Sequence, residues 1–413
     1  MGLFALFDGH AGWETSAWLS KNLVPAVVGS LADLYSKYAE SDAKTKKSSK
    51  SQQDEIISPP PNAVDDTIKD TFKRLDDDIV HAPLERVFAS PSKDAAVNLL
   101  APANAGSCAL LAFYDPQTRL LRIALTGDLR AVLGRRKTDD DGNITYDVHV
   151  LSADQNAYNK DEEQRMQAQH PGEEIMKNGR VLGWGPSRAF GDARMKWNLD
   201  IQARLKKEYL GRTPYKNVKT PPYFTAEPEI TTTEVKPGDF LILATDGLWE
   251  SLSNPEAVGL VGMWLSHNER ERKGLGRIEG SHSGVFLRSE LPVILGEDDD
   301  GTSRFAQWSA KKQFVSVDHN AATHLVRNAL GGADKDLTAA LLSINSPRSR
   351  SYINPLYKSH TIAAMTGVKK TMRIYQEDLS ALIDDLTYSA LLRTIYNTTD
   401  ITSEYGLVPR RAE

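Results

Sequence analysis

The sequence predicts an α/β fold for this chain of 413 residues. Residues 3–7 and 240–245 are short apolar segments typical of buried β-strands, and each is followed directly by a polar cluster with an Asp-Gly pair. Residues 13–34 place apolar side chains at helical spacing instead. Buried strands and helices that pack on the sheet are therefore expected in the same chain.

The composition excludes several functional classes. With 40% hydrophobic and 25% charged residues, the chain has the composition of a globular protein. Its 50 basic and 55 acidic residues give a net charge of −5, which argues against a nucleic-acid or anionic-membrane binder. Cys108 is the only cysteine, so an internal disulfide and a multi-thiolate zinc site are excluded. No apolar run reaches the roughly 20 residues that a transmembrane helix needs.

The first third of the chain predicts one strand and two helices. The strand 3–7 ends at Asp8-Gly9-His10, and the helix over 13–34 contains Pro25, which is expected to break or kink it. Residues 40–62 are polar and end in three prolines, which indicates a solvated surface insertion. The second helix has one apolar face, made of Ile68, Phe72, Leu75 and Ile79.

The middle and the end of the chain predict a hairpin, another insertion and a helix. Residues 106–113 and 120–134 are predicted as two adjacent strands joined by a turn at 114–117. Residues 266–312 mix Gly, Ser and charges, which favours a long surface insertion. The acidic triplet 298–300 within it is interpreted as solvated loop, with a calcium site as the alternative. A helix is expected over 321–330.

The two Asp-Gly pairs are candidates for metal chemistry. Asp8 and Asp246 both follow strands, and Mg²⁺ or Mn²⁺ prefers carboxylate and carbonyl oxygens. Two such ions that share a carboxylate can activate a water. Either pair by itself is also compatible with a simple turn.

Five motifs follow one another along the chain. They are Phe7-Asp8-Gly9-His10-Ala11-Gly12, Ala105-Gly106-Ser107-Cys108-Ala109, Thr126-Gly127-Asp128-Leu129-Arg130-Ala131, Ser187-Arg188-Ala189-Phe190-Gly191-Asp192 and Leu243-Ala244-Thr245-Asp246-Gly247-Leu248-Trp249-Glu250. In wording and order they resemble the motifs of the PPM (PP2C-like) family of metal-dependent serine/threonine protein phosphatases. Within that family, segments 151–163, 190–197, 220–228 and 320–325 resemble the mitochondrial pyruvate dehydrogenase phosphatases and their fungal relatives.

The resemblance implies a fold and a metal site. The fold is a sandwich of two central, mostly antiparallel β-sheets with helices on both outer sides and a metal cleft at one end. Asp8 is implied to bridge two Mg²⁺ or Mn²⁺ ions, Gly9 to offer its carbonyl to one of them, and Asp246 to ligate the other. The bridging water is implied to be the nucleophile, without a covalent phosphoenzyme.

Other site residues carry open alternatives. His10 is the candidate general acid for the leaving seryl oxygen, or else a structural histidine that caps the nearby helix. Asp128 and Glu250 match positions of a weaker third metal site, but both are equally compatible with satisfied turn carboxylates. Arg188 is placed by the resemblance in a flap beside the cleft, where it meets a phosphopeptide or anchors a loop. Trp249 and Cys108 are interpreted as core residues.

The resemblance covers residues 3–352 and departs from the family at both ends. Family members carry strands before the Asp-Gly-His motif that supply an arginine and an acidic residue, and here these strands are expected to be missing. The metal-binding aspartate expected after Tyr352 is replaced by Ile353-Asn354-Pro355. We expect a phosphatase domain over 1–352 and a tail without family resemblance over 353–413. Asp384 is a possible substitute ligand, although its surroundings have helical spacing; Asp336 is rejected because its segment fits a helix.

The expected function is hydrolysis of phosphoserine or phosphothreonine on a protein, with the E1 α subunit of the pyruvate dehydrogenase complex as the expected substrate and partner. Mitochondrial localisation follows from the subfamily resemblance only. The alternative is a catalytically inactive scaffold of the same fold that binds a phosphoprotein without turning it over. The missing arginine, acidic residue and closing aspartate motivate this alternative.

Overall fold

The computed structural model describes residues 2–46, 59–272, 284–296, 303–343, 362–368 and 371–377. The strands are β1 (Gly2–His10), β2 (Gly106–Asp115), β3 (Leu120–Thr126), β4 (Arg130–Thr138), β5 (Ile144–Val150), β6 (Met176–Lys177), β7 (Arg180–Val181), β8 (Phe190–Gly191), β9 (Glu229–Glu234), β10 (Phe240–Ala244), β11 (Val285–Phe286), β12 (Phe314–Val315), β13 (Ile362–Val368) and β14 (Thr371–Glu377). The α-helices are α1 (Glu14–Lys46), α2 (Pro61–Val80), α3 (Ala82–Phe88), α4 (Lys93–Leu99), α5 (Ala101–Asn104), α6 (Lys160–Gln169), α7 (Leu199–Glu208), α8 (Asp246–Trp249), α9 (Asn254–Arg272), α10 (Ser303–Gln307), α11 (Ala321–Ala329) and α12 (Lys335–Ser343). Two short 3₁₀ helices span Ala193–Met195 and Arg288–Glu290.

Two antiparallel sheets form the centre of the molecule. One has the strand order β1-β2-β3-β9 with β8 paired to β2, and the other has the order β14-β13-β10-β4-β5. Side chains from both sheets, including Leu6, Leu110 and Leu241, form one buried cluster between them. Separate clusters join the outer face of the first sheet to α1 and α2, and that of the second to α9 and α11. The predicted α/β sandwich of two sheets with helices outside is confirmed.

The buried strands have apolar residues at successive positions because both of their faces are covered. In β10, Leu241 and Leu243 belong to the cluster between the sheets, whereas Phe240 and Ile242 pack under the outer helices. Alternate residues of a strand point to opposite faces, so a strand covered on both sides needs apolar residues at every position. The same reason accounts for β1 and β2.

The predicted strand over 120–134 is wrong in its extent, because it consists of two strands in different sheets. The hairpin between β2 and β3 is confirmed, but β3 ends at Thr126 and β4 begins at Arg130 in the second sheet. Gly127 takes a φ of +112° at this crossing, and a Cβ atom there would lie 2.3 Å from the Sγ of Cys108. Hydrophobic periodicity gives no sign of the crossing because both strands are buried.

Of the break or kink expected at Pro25, the break is wrong. Helix α1 is continuous for 33 residues with Pro25 inside it. Leu23 and Val27, on either side of the proline, are fully buried in the same apolar cluster. Packing along one face thus compensates for the missing backbone hydrogen bond. The helix also takes in the start of the predicted insertion over 40–62, and residues 47–58 lie outside the described part of the chain.

The described residues of the predicted surface insertion over 266–312 are mostly exposed or half-buried, but several of them are also tied to the core. Helix α9 extends to Arg272, and Phe286 is buried in the cluster beneath α9 and α11. Glu256, fully buried, accepts hydrogen bonds from Arg288 Nε at 3.0 Å and Lys312 Nζ at 2.7 Å. These ion pairs fix the segment to the core. The acidic triplet 298–300 lies outside the described residues.

The second sheet extends past residue 352, into the predicted tail. Strand β13 pairs antiparallel with β10 over Ile362–Thr366, and β14 pairs with β13. Since β4 occupies the other edge of β10, β13 gives this buried strand its second neighbour. The helix predicted around Asp336 is confirmed as α12. Asp384 lies outside the described residues. No helix in the described ranges is long and apolar enough to span a membrane.

Candidate active site

The candidate site is built on β1 and on the start of β2. Asp8, Gly9 and His10 belong to β1 itself and stand opposite Cys108, Ser107 and Gly106 of β2. The sequence placed these residues after the strand, but the backbone pairing continues through them. Asp8 is 4% exposed. The strand therefore holds this carboxylate in a fixed, buried position.

His10 is joined to a residue that the sequence analysis did not assign. Its Nε2 lies 2.5 Å from the Oδ2 of Asp192, and the two side chains are 18% and 1% exposed. Asp192 adopts the left-handed conformation with φ 44°, and its backbone N–H donates to the Ala105 carbonyl at 2.8 Å. Asp192 is the last residue of the Ser-Arg-Ala-Phe-Gly-Asp motif, which was the signal that could have identified it.

Gly106 is required at this pair. A Cβ atom at Gly106 would lie 2.2 Å from His10 Nε2 and 2.4 Å from Asp192 Oδ2. Such distances are well below van der Waals contact, so any side chain there would push the histidine and the aspartate apart. The glycine at the start of β2 therefore provides the space in which the two groups meet.

A second ion pair positions Asp192. Lys196 Nζ lies 2.6 Å from Asp76 Oδ2 and also donates to the Ala189 carbonyl at 2.8 Å. Asp76 Oδ1 accepts from the backbone N–H of Gly191 at 2.9 Å. The Lys196 side chain is 3% exposed. These bonds fix the backbone directly before Asp192, and with it the partner of His10.

Three carboxylates surround His10. Burial lowers the pKa of His10, but the negative charges of Asp192, Asp128 and Asp8 raise it by more, so the net pKa lies above its usual value. Burial also raises the pKa of Cys108, and Asp128 and Asp8 raise it further. The Cys108 thiol donates to Asp128 Oδ1 at 3.2 Å and is buried, which confirms it as a packing residue.

The donor chemistry of this cluster fits a hard divalent cation. Asp8 and Asp128 converge on His10 and Cys108, and the Oδ1 atom of Asp192 is buried without a hydrogen-bond partner among the described residues. Asp246 begins α8 directly after β10, beside β4. Among the described residues, however, no three His, Cys, Asp or Glu side chains are arranged closely enough to hold an ion as they stand.

Glu250 forms an ion pair with an arginine. Arg304 donates to Glu250 Oε2 from its Nε at 2.9 Å and from its terminal nitrogen. This geometry is that of a satisfied carboxylate, the alternative that the sequence left open. Trp249 beside it is buried, as predicted, with its indole N–H donating to the Ala244 carbonyl at 3.0 Å.

Arg188 anchors a loop in this structure. Its guanidinium donates to Glu162 Oε1 at 2.5 Å and to the Glu227 carbonyl at 2.9 Å, and its side chain is 13% exposed. Glu162 also pairs with Arg165 at 2.7 Å and accepts from Ser187 Oγ at 2.5 Å. The loop-anchoring alternative describes this arrangement. The donors of Arg188 are directed at the protein rather than at a ligand.

We expect this buried ion-pair cluster to make stability depend on pH. Burial raises the pKa of Glu162, but hydrogen bonds from Arg188 and Arg165 lower it by more, to about 2, from an ordinary value of 4.5. A lowered folded-state pKa gives stability that is complete above pH 4.5 and is lost as the pH falls towards 2. The shift corresponds to roughly 3 kcal/mol of free energy of unfolding.

Urea unfolding of the wild type and of Glu162→Gln at pH 7, 4 and 3 measures this contribution. The stability difference between them is expected to shrink as the pH falls through this window. Glu163→Gln, a change on the same helix, is the control and should show no such trend. A wild-type advantage that is the same at pH 7 and pH 3 would contradict the assignment.

Comparison with known proteins matches this chain to one family. The profile of the family described as "Protein phosphatase 2C" matches residues 1–274. A "Protein phosphatase 2C homolog" of Schizosaccharomyces pombe is 41% identical over 354 residues, which are 84% of this chain and 70% of that protein.

Two mitochondrial phosphatases are also similar. The Saccharomyces cerevisiae protein named pyruvate dehydrogenase (acetyl-transferring) phosphatase 1, mitochondrial, is 36% identical over 370 residues, which are 86% of this chain and 60% of that protein. The Homo sapiens protein of the same name is 33% identical over 326 residues, which are 73% of this chain and 56% of that protein. The chain thus spans little more than half the length of these two relatives.

Proposed function

Because the chain belongs to the protein phosphatase 2C family, we propose that it hydrolyses phosphoserine or phosphothreonine on proteins with Mg²⁺ or Mn²⁺. The observation that carries the proposal is the buried Asp8 next to the His10–Asp192 pair, a metal-type carboxylate beside a candidate proton donor. We assign the catalytic domain to residues 1–352 together with β13 and β14, which follow this range in the chain and extend its second sheet.

The proposed metal ligands are the carboxylates of Asp8 and Asp246 and the carbonyl of Gly9. Of the two candidates for a weaker third ion we favour Asp128, because Glu250 is engaged by Arg304. When bound, the ions lower the pKa of coordinated water and neutralise charge on the phosphoryl oxygens. The protein holds Asp8 on a strand paired on one side with β2, so the ligand needs little rearrangement.

His10 is the proposed general acid. Its Nε2 faces the buried Asp192 carboxylate, which leaves Nδ1 to donate a proton to the leaving seryl or threonyl oxygen. Asp192 fixes the orientation of the ring and stabilises its protonated form. Nε2 bonds to Asp192, which is 182 positions away and ends the Ser-Arg-Ala-Phe-Gly-Asp motif. We therefore propose that this motif orients the ring, rather than a cap on α1.

Asp192→Asn is expected to lower kcat on a phosphothreonine peptide by about 10- to 100-fold, the range typical of residues that orient a functional group. Asparagine retains the size of the side chain but removes the charge that stabilises protonated His10. Steady-state phosphate release measures the effect. Asp200→Asn, on exposed α7 surface, is the matched control. Activity within twofold of wild type would remove Asp192 from the mechanism.

We further propose the E1 α subunit of pyruvate dehydrogenase as the substrate, and mitochondria as the location. The support is the similarity to two mitochondrial pyruvate dehydrogenase phosphatases. The test is phosphate release from phosphorylated E1 and from phosphorylated casein at equal phosphate concentration. A clear preference for E1 is expected. Equal rates on the two proteins would argue against this substrate while leaving the phosphatase activity established.

One observation favours the alternative function of an inactive phosphoprotein-binding scaffold. In the described part of the chain, no three candidate side chains are preassembled around a metal position. Isothermal titration with Mn²⁺ separates the two functions. The phosphatase requires binding that Asp246→Ala weakens, whereas absence of binding, or binding unchanged by Asp246→Ala, would favour the scaffold.

A further inference from the structure

A surface groove opens directly beside His10. It has a volume of about 280 Å³ and is formed by the start of α1, by α4, α5 and α7, and by the segment after α7. Ala11, which follows His10, and Ala105, which precedes Gly106, both line it. A chain whose phosphorylated residue lies at His10 would therefore pass next to this groove. Its volume is close to the lower limit of ligand pockets, about 300 Å³.

One part of the groove is apolar and exposed. Val97 and Leu210 line it with 52% and 70% of their surfaces exposed, and the buried Leu100 lines it as well. Large apolar side chains that are exposed next to one another lower the free energy when another apolar group covers them. Among the described residues, both belong to the small set of large apolar side chains with high exposure.

The other part of the groove is cationic. Arg194 and Arg212 line it, and in the described ranges no carboxylate lies within 4.0 Å of either guanidinium. Among the described residues, Arg194 donates to the Thr213 carbonyl at 2.8 Å and lies over the Tyr215 ring, 5.4 Å from its centroid, while its Nε is buried without a hydrogen-bond partner. Burial lowers the pKa of Arg194, and the charge of Arg212 lowers it further, so the two guanidinium groups lie close enough to repel one another. Two adjacent cations attract an anionic group.

We propose that this groove binds the segment of the phosphoprotein substrate that flanks the phosphorylated residue. An acidic side chain of that segment lies at Arg194 and Arg212, and an apolar side chain covers Leu210 and Val97. The inference rests on the proposed phosphatase function and adds a sequence preference to it. Charge complementarity selects this occupant, because Glu14 is the single acidic side chain among the groove residues and leaves the groove with net positive charge.

The test uses two phosphothreonine peptides that differ by one residue, Glu or Gln, close to the phosphothreonine. For the wild type, the KM of the Glu peptide is expected to be about fivefold lower than that of the Gln peptide, with similar kcat. This difference is about what one exposed ion pair contributes. Arg212→Glu is expected to remove or reverse this preference. Hydrolysis of p-nitrophenyl phosphate, which does not reach the groove, should be unchanged by the same substitution.

Lys207→Glu is the matched control, since it makes the same charge change on an exposed part of α7 outside the groove. Equal KM values for the two peptides, or an equal effect of Lys207→Glu and Arg212→Glu, would overturn the proposal. If p-nitrophenyl phosphate is not hydrolysed at all, that result contradicts the proposed phosphatase function but not the proposed binding of a peptide in the groove. Fluorescence anisotropy of the labelled peptides then gives the same comparison by binding alone, with the same expected order and the same contradicting result.

Discussion

Asp8→Asn is expected to lower kcat on a phosphothreonine peptide by about 1,000-fold or more. The buried carboxylate of Asp8 is the proposed ligand shared by two metal ions, and charge stabilisation by each ion is worth several kcal/mol. Asparagine has nearly the same shape, so β1 and its pairing with β2 should be retained. Phosphate release with Mn²⁺, together with the thermal midpoint of unfolding, measures both effects.

The control for this substitution is Asp70→Asn, at a side chain that is 73% exposed on α2 and, among the described residues, pairs only with the neighbouring Lys73. It should leave kcat within twofold of wild type. Turnover by Asp8→Asn within tenfold of wild type, in a folded protein, would contradict the assignment of Asp8 as a shared ligand.

His10→Asn is expected to lower kcat by about 100- to 10,000-fold on a phosphothreonine peptide but by much less on p-nitrophenyl phosphate. An alkoxide leaving group needs a proton in the transition state, whereas nitrophenolate leaves as a stable anion. The ratio of the two kcat losses therefore reports proton donation separately from damage to the site. The Asp192 carboxylate loses its partner in this variant, so the fold is checked by the same unfolding measurement.

A loss that is equal on the two substrates would show that His10 positions the site rather than donates a proton. Asn22→Asp provides a comparison on α1, where a half-buried side chain donates to the Trp18 carbonyl away from the cleft. It is expected to affect both substrates equally and slightly.

The sequence predicted the parts of the fold that one segment determines by itself. The strands β1 and β10, the apolar face of α2 and the hairpin between β2 and β3 all have local patterns of apolar residues or turn residues. It failed at Gly127, where the chain changes sheets, because buried apolar residues occur on both sides of the crossing. It failed in expecting a break at Pro25, because packing of the residues on either side of the proline keeps α1 continuous through it.

In the candidate site, too, the sequence identified residues within one motif but not the contacts between distant segments. Asp8 and His10 could be identified from one motif, but the partner of His10 comes from a segment 182 residues away. Only the folded chain brings Asp192 to it, and Lys196 and Asp76 then fix that segment through bonds between distant residues. For Arg188, the motif identified the residue but not its contacts. In the folded chain its guanidinium donates to Glu162 and to the Glu227 carbonyl.

The proposed phosphatase function is tested most directly by phosphate release from a phosphothreonine peptide. Purified full chain is titrated with Mn²⁺ after treatment with a chelator, and Asp8→Asn is measured in parallel. We predict turnover that is absent without metal, rises to saturation with Mn²⁺, and is lost in the variant. Absence of phosphate release at every Mn²⁺ concentration, or release that persists in the chelator, would contradict the account.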